Sequence, residues 1–579
     1  MPARRQTCLT APESGGYTSI MTTPFQSASL PPVHATHTVQ NQAPPFVGHN
    51  LYTIDRTLSE TVAREGGGWA HTRLSEYGAL MGSAQASLWA SQANENPPVL
   101  HTHDRYGNRR DEVLFHPAWH SLMEASVRHE VHALPWREPR EGAHVARAAM
   151  LFIAAQTEYG HLCPIAMTYS VIPALRMQPE IAAEWEPRIV SNKYDGRFLP
   201  SEQKTGALCG MAMTEKQGGS DVRMNTTRAV ALGAGGPGGE YALTGHKWFC
   251  SAPMCDLFLV LAYTDKGLSC FAVPRFLPDG TRNRFFLQRL KNKLGNKSNA
   301  SSEVEFDGTW GRMVGGEGRG VPTIIEMANH TRLDCVLGSA GSMRQALNEA
   351  FNHCTHRIAF GRPLYEQPLM RNVLADLAIE SQAATLLAIR LARAFDRQSA
   401  VETEGPFRRM VTAAAKYFIC KRTPTFVFEA MECLGGAGYV EESPLPRLFR
   451  ETPLNSIWEG SGNVMCLDVL RAMSKDQRSF TAVLDEIKLG LGQDQRLDQY
   501  IATFESELGR FDDIEVQARR FVERLILALQ GSLLVRYGNK AVADAFCATR
   551  IAGDWGRTMG TLPGKVDFTA ILNAAKPPQ

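Results

Sequence analysis

Hydrophobic positions between Leu51 and Tyr194 recur every three or four residues, as in the stretch ARAAMLFIAAQTEYGHL, which is the period of an amphipathic helix. From about Gly206 to Glu317 the pattern changes to short runs rich in β-branched and aromatic residues, separated by glycine-containing turns. Long helical patterns return after Gly320. This order predicts an all-helical segment, a small β domain and a second helical segment.

The pattern divides the chain into five predicted parts. They are a flexible leader (1–45), an N-terminal helical domain (46–205), a β domain (206–320), a helical bundle (321–471) and a C-terminal helical domain (472–579). The leader is rich in Ser, Thr, Pro and Gln and has no hydrophobic signal core, which favours flexibility. A mitochondrial leader is the alternative, since Glu13 is its single acidic residue. The central pattern does not require the last hundred residues, so they resemble an added domain.

Composition excludes several classes of protein. The chain has 579 residues, of which 44% are apolar, enough for a large core. Its 61 basic and 59 acidic residues give no bulk charge that would indicate a nucleic-acid or membrane partner. The 12 cysteines contain no C-x-x-C pair, which disfavours a metal site or a disulfide framework. We therefore expect a cytoplasmic protein without a metal, and no run approaches the roughly 20 apolar residues of a membrane-spanning helix.

Two stretches in the β region could bind a ligand. In MAMTEKQGGSD the pair Gly218 and Gly219 could bring backbone N–H groups, with the hydroxyls of Thr214 and Ser220, close to a flat polar ring or a phosphate. The alternative is an ordinary glycine turn. In GHKWFCS, aromatic side chains beside Ser251 could form an apolar wall with one hydroxyl. Core packing is the alternative there.

Two stretches in the second helical segment could contact a nucleotide. HRIAFGRP contains Arg357 and Arg362, and a guanidinium can bind a diphosphate through two parallel hydrogen bonds. A solvated helix end is the alternative. MECLGGAGYVEE contains Gly435, Gly436 and Gly438, which permit a close approach of the backbone, although a glycine cluster alone is weak evidence.

The stretch NSIWEGSGNV places the carboxylate of Glu459 between Trp458 and a run of small residues. In an apolar, partly dry pocket, desolvation would raise the pKa of Glu459 from about 4.3 toward 6 or 7, close to the optimum for a general base. The alternative is a loop glutamate that caps a helix beginning near Asn463.

Taken together, these stretches have the types and order of motifs of one family. MTEKQGGSD, GHKWFCS, RIAFGRP followed by Gln367, LGGAGY and WEGS resemble the acyl-CoA dehydrogenase superfamily over about residues 151–470. The chain departs from the family pattern at Trp458, where the family has tyrosine, and at Ser251 and Ser461, where it has threonine. The change at Trp458 leaves the acyl-chain preference open.

The resemblance implies a mainly α fold with a central β-barrel domain and a homotetramer with one FAD per subunit. It implies an oxidoreductase that acts on CH–CH groups, in which Glu459 removes the α-proton of an acyl thioester while the β-hydride passes to the flavin. Arg357 and the Gly435 region would reach the FAD of a neighbouring subunit. The residues that the resemblance assigns to the cofactor are Met211, Ala212, Met213, Thr214, Glu215, Gly218, Gly219, Ser220, Phe249, Cys250, Ser251, Arg357, Ile457, Trp458, Glu459, Gly460, Ser461, Gly462 and Asn463.

A narrower likeness extends from about Thr36 to beyond Arg471. FHPAWH, LCPIAMTYS, KLGNKSNAS and IWEGSGNVMCLDVLRA resemble the flavoproteins of this superfamily that belong to the adaptive response to alkylation damage. That resemblance implies weak, isovaleryl-CoA-like dehydrogenation and binding of double-stranded DNA by the C-terminal domain, as protection against alkylation. It also implies a substrate pocket lined by Thr214, Ser220, Ser251 and Asn463.

The sequence itself gives DNA binding little support, since residues 471–579 hold 15 basic and 14 acidic residues. A local row of arginines on one helix could position a duplex through its phosphates without reading bases. The candidate contacts are Arg471, Arg519, Arg520 and Arg524. A solvated helix face is the alternative for the row. For the whole chain, the alternatives are a catabolic short branched-chain acyl-CoA dehydrogenase with an extra assembly domain, and a DNA-shielding protein with a structural flavin.

Overall fold

The computed structural model describes residues 36–508 and 514–578, so most of the predicted leader lies outside the described residues. The chain separates into two compact units, Met1–Gln42 and Ala43–Gln579. Residues 36–42, the described part of the first unit, contain no helix or strand. All helices and strands of the described residues lie in the second unit.

The N-terminal part is mostly helical, as its pattern predicts. Its helices are α1 (Arg56–Val62), α2 (His71–Met81), α3 (Ala84–Glu95), α4 (Pro117–Arg128), α5 (Leu134–Arg137), α6 (Ala143–Thr157), α7 (Leu162–Leu175) and α8 (Pro179–Ile189). Helices α6 and α7 are buried along almost their whole length, because nearly every residue of each is apolar or small. Such helices form the centre of a large core rather than its surface.

The prediction that this part is all-helical is wrong at one place. An antiparallel hairpin, β1 (Val99–His103) and β2 (Arg109–Leu114), interrupts the helices. Its turn is set by the Asp104 carboxylate, which accepts hydrogen bonds from the N–H groups of Tyr106 and Asn108. Strands this short contain too few apolar positions to distinguish a period of two from a helical period.

Seven strands form the β domain. They are β3 (Cys209–Ala212), β4 (Arg228–Ala231), β5 (Glu240–Ser251), β6 (Leu257–Thr264), β7 (Gly267–Pro274), β8 (Phe285–Leu290) and β9 (Ser301–Val314). The strand order is β3-β6-β4-β5-β9-β7, with β8 paired to β9. Because β6 also pairs with β7, the sheet closes on itself, and the predicted central β-barrel is confirmed.

The second helical part follows the barrel directly. It consists of α9 (Gly320–His356), a two-strand hairpin of β10 (Ile358–Ala359) and β11 (Arg362–Pro363), α10 (Pro368–Arg397), α11 (Glu404–Glu432), α12 (Gly436–Tyr439), α13 (Pro444–Glu451) and α14 (Gly462–Lys475). Helix α10 is the one described helix long and apolar enough to cross a membrane, and 89% of its most apolar stretch is buried by the rest of the protein. It is therefore a core helix of the bundle.

The C-terminal part is helical, with α15 (Gln477–Lys488), α16 (Gln495–Glu507), α17 (Ile514–Tyr537), α18 (Lys540–Phe546) and α19 (Phe568–Ala575). These helices pack on α10, α11 and α14 and share one hydrophobic core with them. Buried ion pairs join the two parts, since Arg550 binds Asp376 and Glu380 of α10. An unpaired buried charge would be costly, so each partner depends on the other.

Candidate active site

Glu459 lies in the short loop before α14, in a backbone conformation that non-glycine residues seldom adopt. Its φ is 58°, and that of the following Gly460 is 110°. Three hydrogen bonds from two donor side chains, one on each of two other helices, hold the loop in place. Arg332 Nε donates to the carbonyl of Glu459 over 3.0 Å, and Lys416 Nζ donates to the carbonyls of Asn455 and Gly460 over 3.0 and 2.7 Å. Left-handed backbone costs about 1–3 kcal/mol, and such strain is typical of functional sites.

The carboxylate of Glu459 accepts a hydrogen bond at Oε2 from the hydroxyl of Thr331 over 2.8 Å. Burial raises the pKa of Glu459, while the Thr331 hydrogen bond and the charges of Arg332 and Lys416 oppose that rise. The predicted direction of the pKa shift is confirmed. The capping alternative is wrong, because α14 begins at Gly462 after Ser461 and no side chain caps it.

Trp458 is anchored by its own loop. Its indole N–H donates to Oδ1 of Asn455 over 2.9 Å, and its ring lies near that of Tyr159, with centroids 6.4 Å apart. Gly338 of α9 makes this arrangement possible, since a Cβ there would lie 2.1 Å from the Tyr159 ring. The neighbouring Ile457 remains exposed. The loop therefore presents one fixed aromatic ring and one free aliphatic side chain beside Glu459.

The predicted flavin loop, Met211–Ser220, begins with buried residues of β3 and ends with the exposed pair Gly219 and Ser220. Glu215 is the anchor of the loop, not an available ligand group. Its carboxylate accepts from Lys247 Nζ over 2.8 Å and from the Thr227 hydroxyl over 2.6 Å. These bonds and the charge of Lys247 lower the pKa of Glu215 to about 2 against the opposing effect of burial. Glu215 can offer a cofactor its backbone alone.

At the end of β5 the side chains alternate between the barrel surface and its core. Phe249 is 52% exposed, Cys250 is fully buried and Ser251 is partly exposed. The Cys250 thiol therefore faces the barrel core, and its carbonyl already accepts from the Ser302 hydroxyl. Thr214 is tied to the same strand, because its carbonyl accepts from Trp248 N–H over 2.8 Å. The groups left for a ligand are the Phe249 ring and the hydroxyls of Thr214, Ser220 and Ser251.

Cys163 of α7 connects the barrel end to the Glu459 loop. Burial raises the pKa of its thiol to about 12, with opposing effects from the charge of Lys293 and from a hydrogen bond with Ser251, and with a further rise caused by Glu459. Ser251 and Glu459 are thus both neighbours of one thiol. The pKa of this thiol thus depends on both the predicted base and a predicted flavin contact.

Sequence reasoning missed the residues that hold this region together, namely Thr331, Arg332, Lys416, Cys163 and Lys293. The signal that could have revealed the first two is the polar run His330–Asp334, which lies fully buried inside α9. Buried polar side chains in a helix are usually hydrogen-bonded to a specific partner.

The structure does not place Arg357 near Glu459 of the same chain. Arg357 directly follows α9, about 39 Å along the helix axis from Thr331 at 1.5 Å per residue. The adjoining hairpin exposes Ile358 and Phe360, and the Gly435 region exposes Tyr439. A contact of these residues with a flavin at Ser251 would require a second subunit.

The predicted DNA contacts fall into three different environments. Arg520 is exposed on α17, and Arg471 is exposed while it pairs with Asp468 over 3.3 Å. Arg519 Nε donates to Oδ1 of Asn463 over 2.8 Å. Arg524 pairs with Glu507 and is only 16% exposed. The prediction of an exposed row is therefore wrong for Arg524, because this residue faces α16 rather than solvent.

Family models of known proteins match three consecutive parts of the chain, and a known protein matches most of its length. The model of the adaptive response protein AidB N-terminal domain matches residues 41–196. The middle-domain model of acyl-CoA dehydrogenases matches residues 210–309, and the C-terminal-domain model matches residues 318–474. The putative acyl-CoA dehydrogenase AidB of Escherichia coli is 48% identical over 514 residues, which cover 88% of this chain and 94% of that protein.

Solved structures agree as well. ACDH-11 of Caenorhabditis elegans, determined in complex with C11-CoA, has a TM-score of 0.80 at 26% identity and covers 94% of both chains. An acyl-CoA dehydrogenase from Bacillus anthracis complexed with FAD has a TM-score of 0.58 at 17% identity, covering 79% of this chain and 81% of its own. The latter supports the fold alone.

These findings confirm the predicted fold class, the oxidoreductase class and FAD as the cofactor of the family. Glu459 is held in a left-handed loop by hydrogen bonds from helices α9 and α11. The chain belongs to the AidB group of the acyl-CoA dehydrogenase family.

Proposed function

We propose that the chain dehydrogenates acyl-CoA thioesters with Glu459 as the base. The observation that carries this proposal is the carboxylate of Glu459, whose pKa is raised by burial and which shares the neighbour Cys163 with Ser251. A base with a raised pKa can accept a weakly acidic carbon-bound proton at neutral pH. The rigid loop keeps its side chain oriented while Thr331 holds Oε2.

The residues present fit a flavin at the end of β5. The candidate groups are the exposed ring of Phe249, three hydroxyl groups and a glycine loop, and this set suits a flat ring with carbonyl and nitrogen acceptors. Met211, Ala212 and Met213 would contribute backbone, and Gly218 and Gly219 allow its close approach. When bound, FAD would accept the hydride from the β-carbon. The protein's own groups orient the thioester and receive the α-proton.

The substrate is proposed to be an acyl-CoA with a short branched or medium-length chain. Support comes from the resemblance to flavoproteins with isovaleryl-CoA-like dehydrogenation and from the C11-CoA complex of the Caenorhabditis elegans relative. Anaerobic addition of a panel of acyl thioesters, from isovaleryl-CoA to C11-CoA, tests the proposal. Bleaching of the bound flavin by at least one of them is expected. A purified protein that binds no flavin, or a flavin that none of them reduces, would contradict it.

We further propose a homotetramer in which neighbouring subunits cover the exposed apolar side chains of the second helical part. These are Ile358, Phe360, Leu369, Phe428, Tyr439 and Val440. Exposed apolar groups of this size usually mark an interface. Phe360→Glu should lower the mass in light scattering and weaken FAD retention. Tyr106→Glu, which changes an exposed aromatic on the β1–β2 turn, should leave the mass unchanged; equal masses for both variants would contradict the interface.

As a second function, we propose that the C-terminal part binds double-stranded DNA in the cytoplasm and shields it from alkylation. Membership of the AidB group supports this, together with the exposed guanidinium groups of Arg520 on α17 and of Arg471 on the adjoining helix α14. Arg471→Ala with Arg520→Ala should lower the slope of log affinity against log salt by up to about 2. Arg557→Ala, at an exposed arginine elsewhere in this part, should not.

The rival account is that the C-terminal helices serve assembly alone. Their shared core and the Arg550 ion pairs with α10 suit that role. This rival account would be favoured if the protein did not change the electrophoretic mobility of a DNA duplex at low salt. Fast turnover with isovaleryl-CoA would also favour it. Methylation of a duplex by an alkylating agent, with and without the protein, separates shielding from simple binding.

A further inference from the structure

Two polar side chains, those of Ser301 and Lys293, lie close to Ser251. Ser301, the cross-strand neighbour of Ser251 on β9, places its Oγ 3.4 Å from Ser251 Oγ. Lys293, in the loop between β8 and β9, places Nζ 2.9 Å from Ser301 Oγ and 2.7 Å from the carbonyl of Asn299. The three side chains thus form a continuous line from a cation to the Ser251 hydroxyl.

The donors and acceptors of these three side chains determine the direction of the hydrogen bonds between them. An ammonium group has donors and no acceptor, so Ser301 Oγ must accept from Lys293. The proton of Ser301 is then free to be donated to Ser251 Oγ, and the proton of Ser251 turns outward. The Cys163 thiol beside Ser251 is a weak hydrogen-bond partner and competes poorly for that proton.

We propose that Lys293 is a positioning residue that acts through Ser301 to make Ser251 a hydrogen-bond donor to the bound flavin. The inference rests on the proposed function, because it requires FAD beside Ser251. A donor backed by a positive charge stabilises the electron-rich reduced flavin more than the oxidised ring. The line therefore raises the reduction potential of the flavin.

The surroundings of Lys293 keep it charged near neutral pH. Burial lowers its pKa to about 8, while Cys163, Glu451 and Glu158 oppose that effect. Glu158 is ionised, since hydrogen bonds and the charge of His161 lower its pKa to about 2 despite burial. Burial raises the pKa of Glu451 to about 7, so this carboxyl group is partly neutral there. Lys293 therefore carries its positive charge below about pH 8 and loses it above that pH. The hydrogen bonds from Lys293 through Ser301 to Ser251 are backed by a cation only below about pH 8.

The test is the reduction potential of bound FAD in the full-length holoprotein, measured by equilibration with a reference dye. Lys293→Met and Ser301→Ala should each shift the equilibrium about tenfold toward oxidised flavin, which is about 30 mV for a two-electron couple. Lys293→Arg and Ser301→Thr, which keep the cation and the hydroxyl, should stay close to the wild type. Lys297→Met removes an exposed lysine of the same loop and should have no effect.

Two results would overturn the inference. One is a flavin potential unchanged in both Lys293→Met and Ser301→Ala while FAD stays bound, which leaves the proposed function intact. The other is a potential gap between the wild type and Lys293→Met that does not close above pH 8, which would indicate a purely structural lysine. A wild-type protein that binds no FAD would instead defeat the proposed function itself. Ser301→Ala removes one hydroxyl only, so it provides a test even where Lys293→Met fails to fold.

Discussion

Arg519 donates a hydrogen bond from Nε to Oδ1 of Asn463 over 2.8 Å. Arg519 belongs to α17 in the C-terminal part, and Asn463 lies in the first turn of α14, four residues after Glu459. A residue expected to bind DNA thus touches a residue expected to line the substrate pocket. The added helices are joined to the active-site loop by this contact.

Arg519→Met should raise KM for the acyl thioester more than it lowers kcat. The reason is that a charged donor fixes Asn463 Oδ1 and leaves the amide N–H groups for the substrate. Because both side chains are exposed, we expect a change of roughly two- to fivefold in KM. Steady-state kinetics on the FAD-loaded protein measure this. Arg557→Met is the matched control, and identical KM values for the wild type and Arg519→Met would refute a role for the contact.

Thr331→Val should move the acid limb of the pH profile of kcat/KM to higher pH. Burial already raises the pKa of Glu459, and the Thr331 hydroxyl opposes that rise by stabilising the carboxylate. Without the hydroxyl the pKa rises further, so a larger part of the base is protonated and inactive at low pH. Thr331→Ser keeps the donor and should retain the wild-type limb. A limb that stays in place in Thr331→Val would show that another group titrates.

Lys247→Met should destabilise the protein by about 3–5 kcal/mol, because it leaves the Glu215 carboxylate buried without its cation. Both side chains of this pair are fully buried. Adding Glu215→Gln should restore much of the loss, and Arg56→Met in the exposed Arg56–Glu60 pair should change the stability very little. Urea unfolding measures all three. A Lys247→Met protein as stable as the wild type would contradict the anchoring role of Glu215.

The Glu215–Lys247 ion pair also makes the stability of the protein depend on pH. Its carboxyl pKa is lowered from 4.5 to about 2 in the folded chain, so the pair contributes its stability above pH 4.5. That contribution is lost as the pH falls through about 2. Acid unfolding of Glu215→Gln should lack this step.

Much of the fold follows from local pattern. The helical period of ARAAMLFIAAQTEYGHL and the alternation of strands such as β5 determine which elements form, and turn residues mark where they end. The motif containing Glu459 also predicts the raised pKa of its carboxyl group locally, since glycine and a bulky aromatic flank the charge. These features depend on neighbours in sequence, which is why they could be predicted.

The features that the sequence did not predict depend on residues far apart along the chain. Thr331 contacts Glu459 across 128 positions, and Arg519 contacts Asn463 across 56. No local spacing encodes such pairs. The same limit explains the error at Arg524, where the helical period predicts the face of the residue but not that α16 covers it with Glu507. The same limit explains why the sequence did not identify Glu215 as an anchor, because its partner Lys247 lies on the distant strand β5.

The central claim is that Glu459 removes the proton, and a rapid-mixing measurement of flavin bleaching under anaerobic conditions tests it most directly. The wild type and Glu459→Gln would be compared with the best acyl thioester of the panel. Bleaching in Glu459→Gln should slow roughly 10²- to 10⁴-fold while FAD remains bound, because a neutral amide cannot act as a base. Bleaching at the wild-type rate in Glu459→Gln would contradict the account.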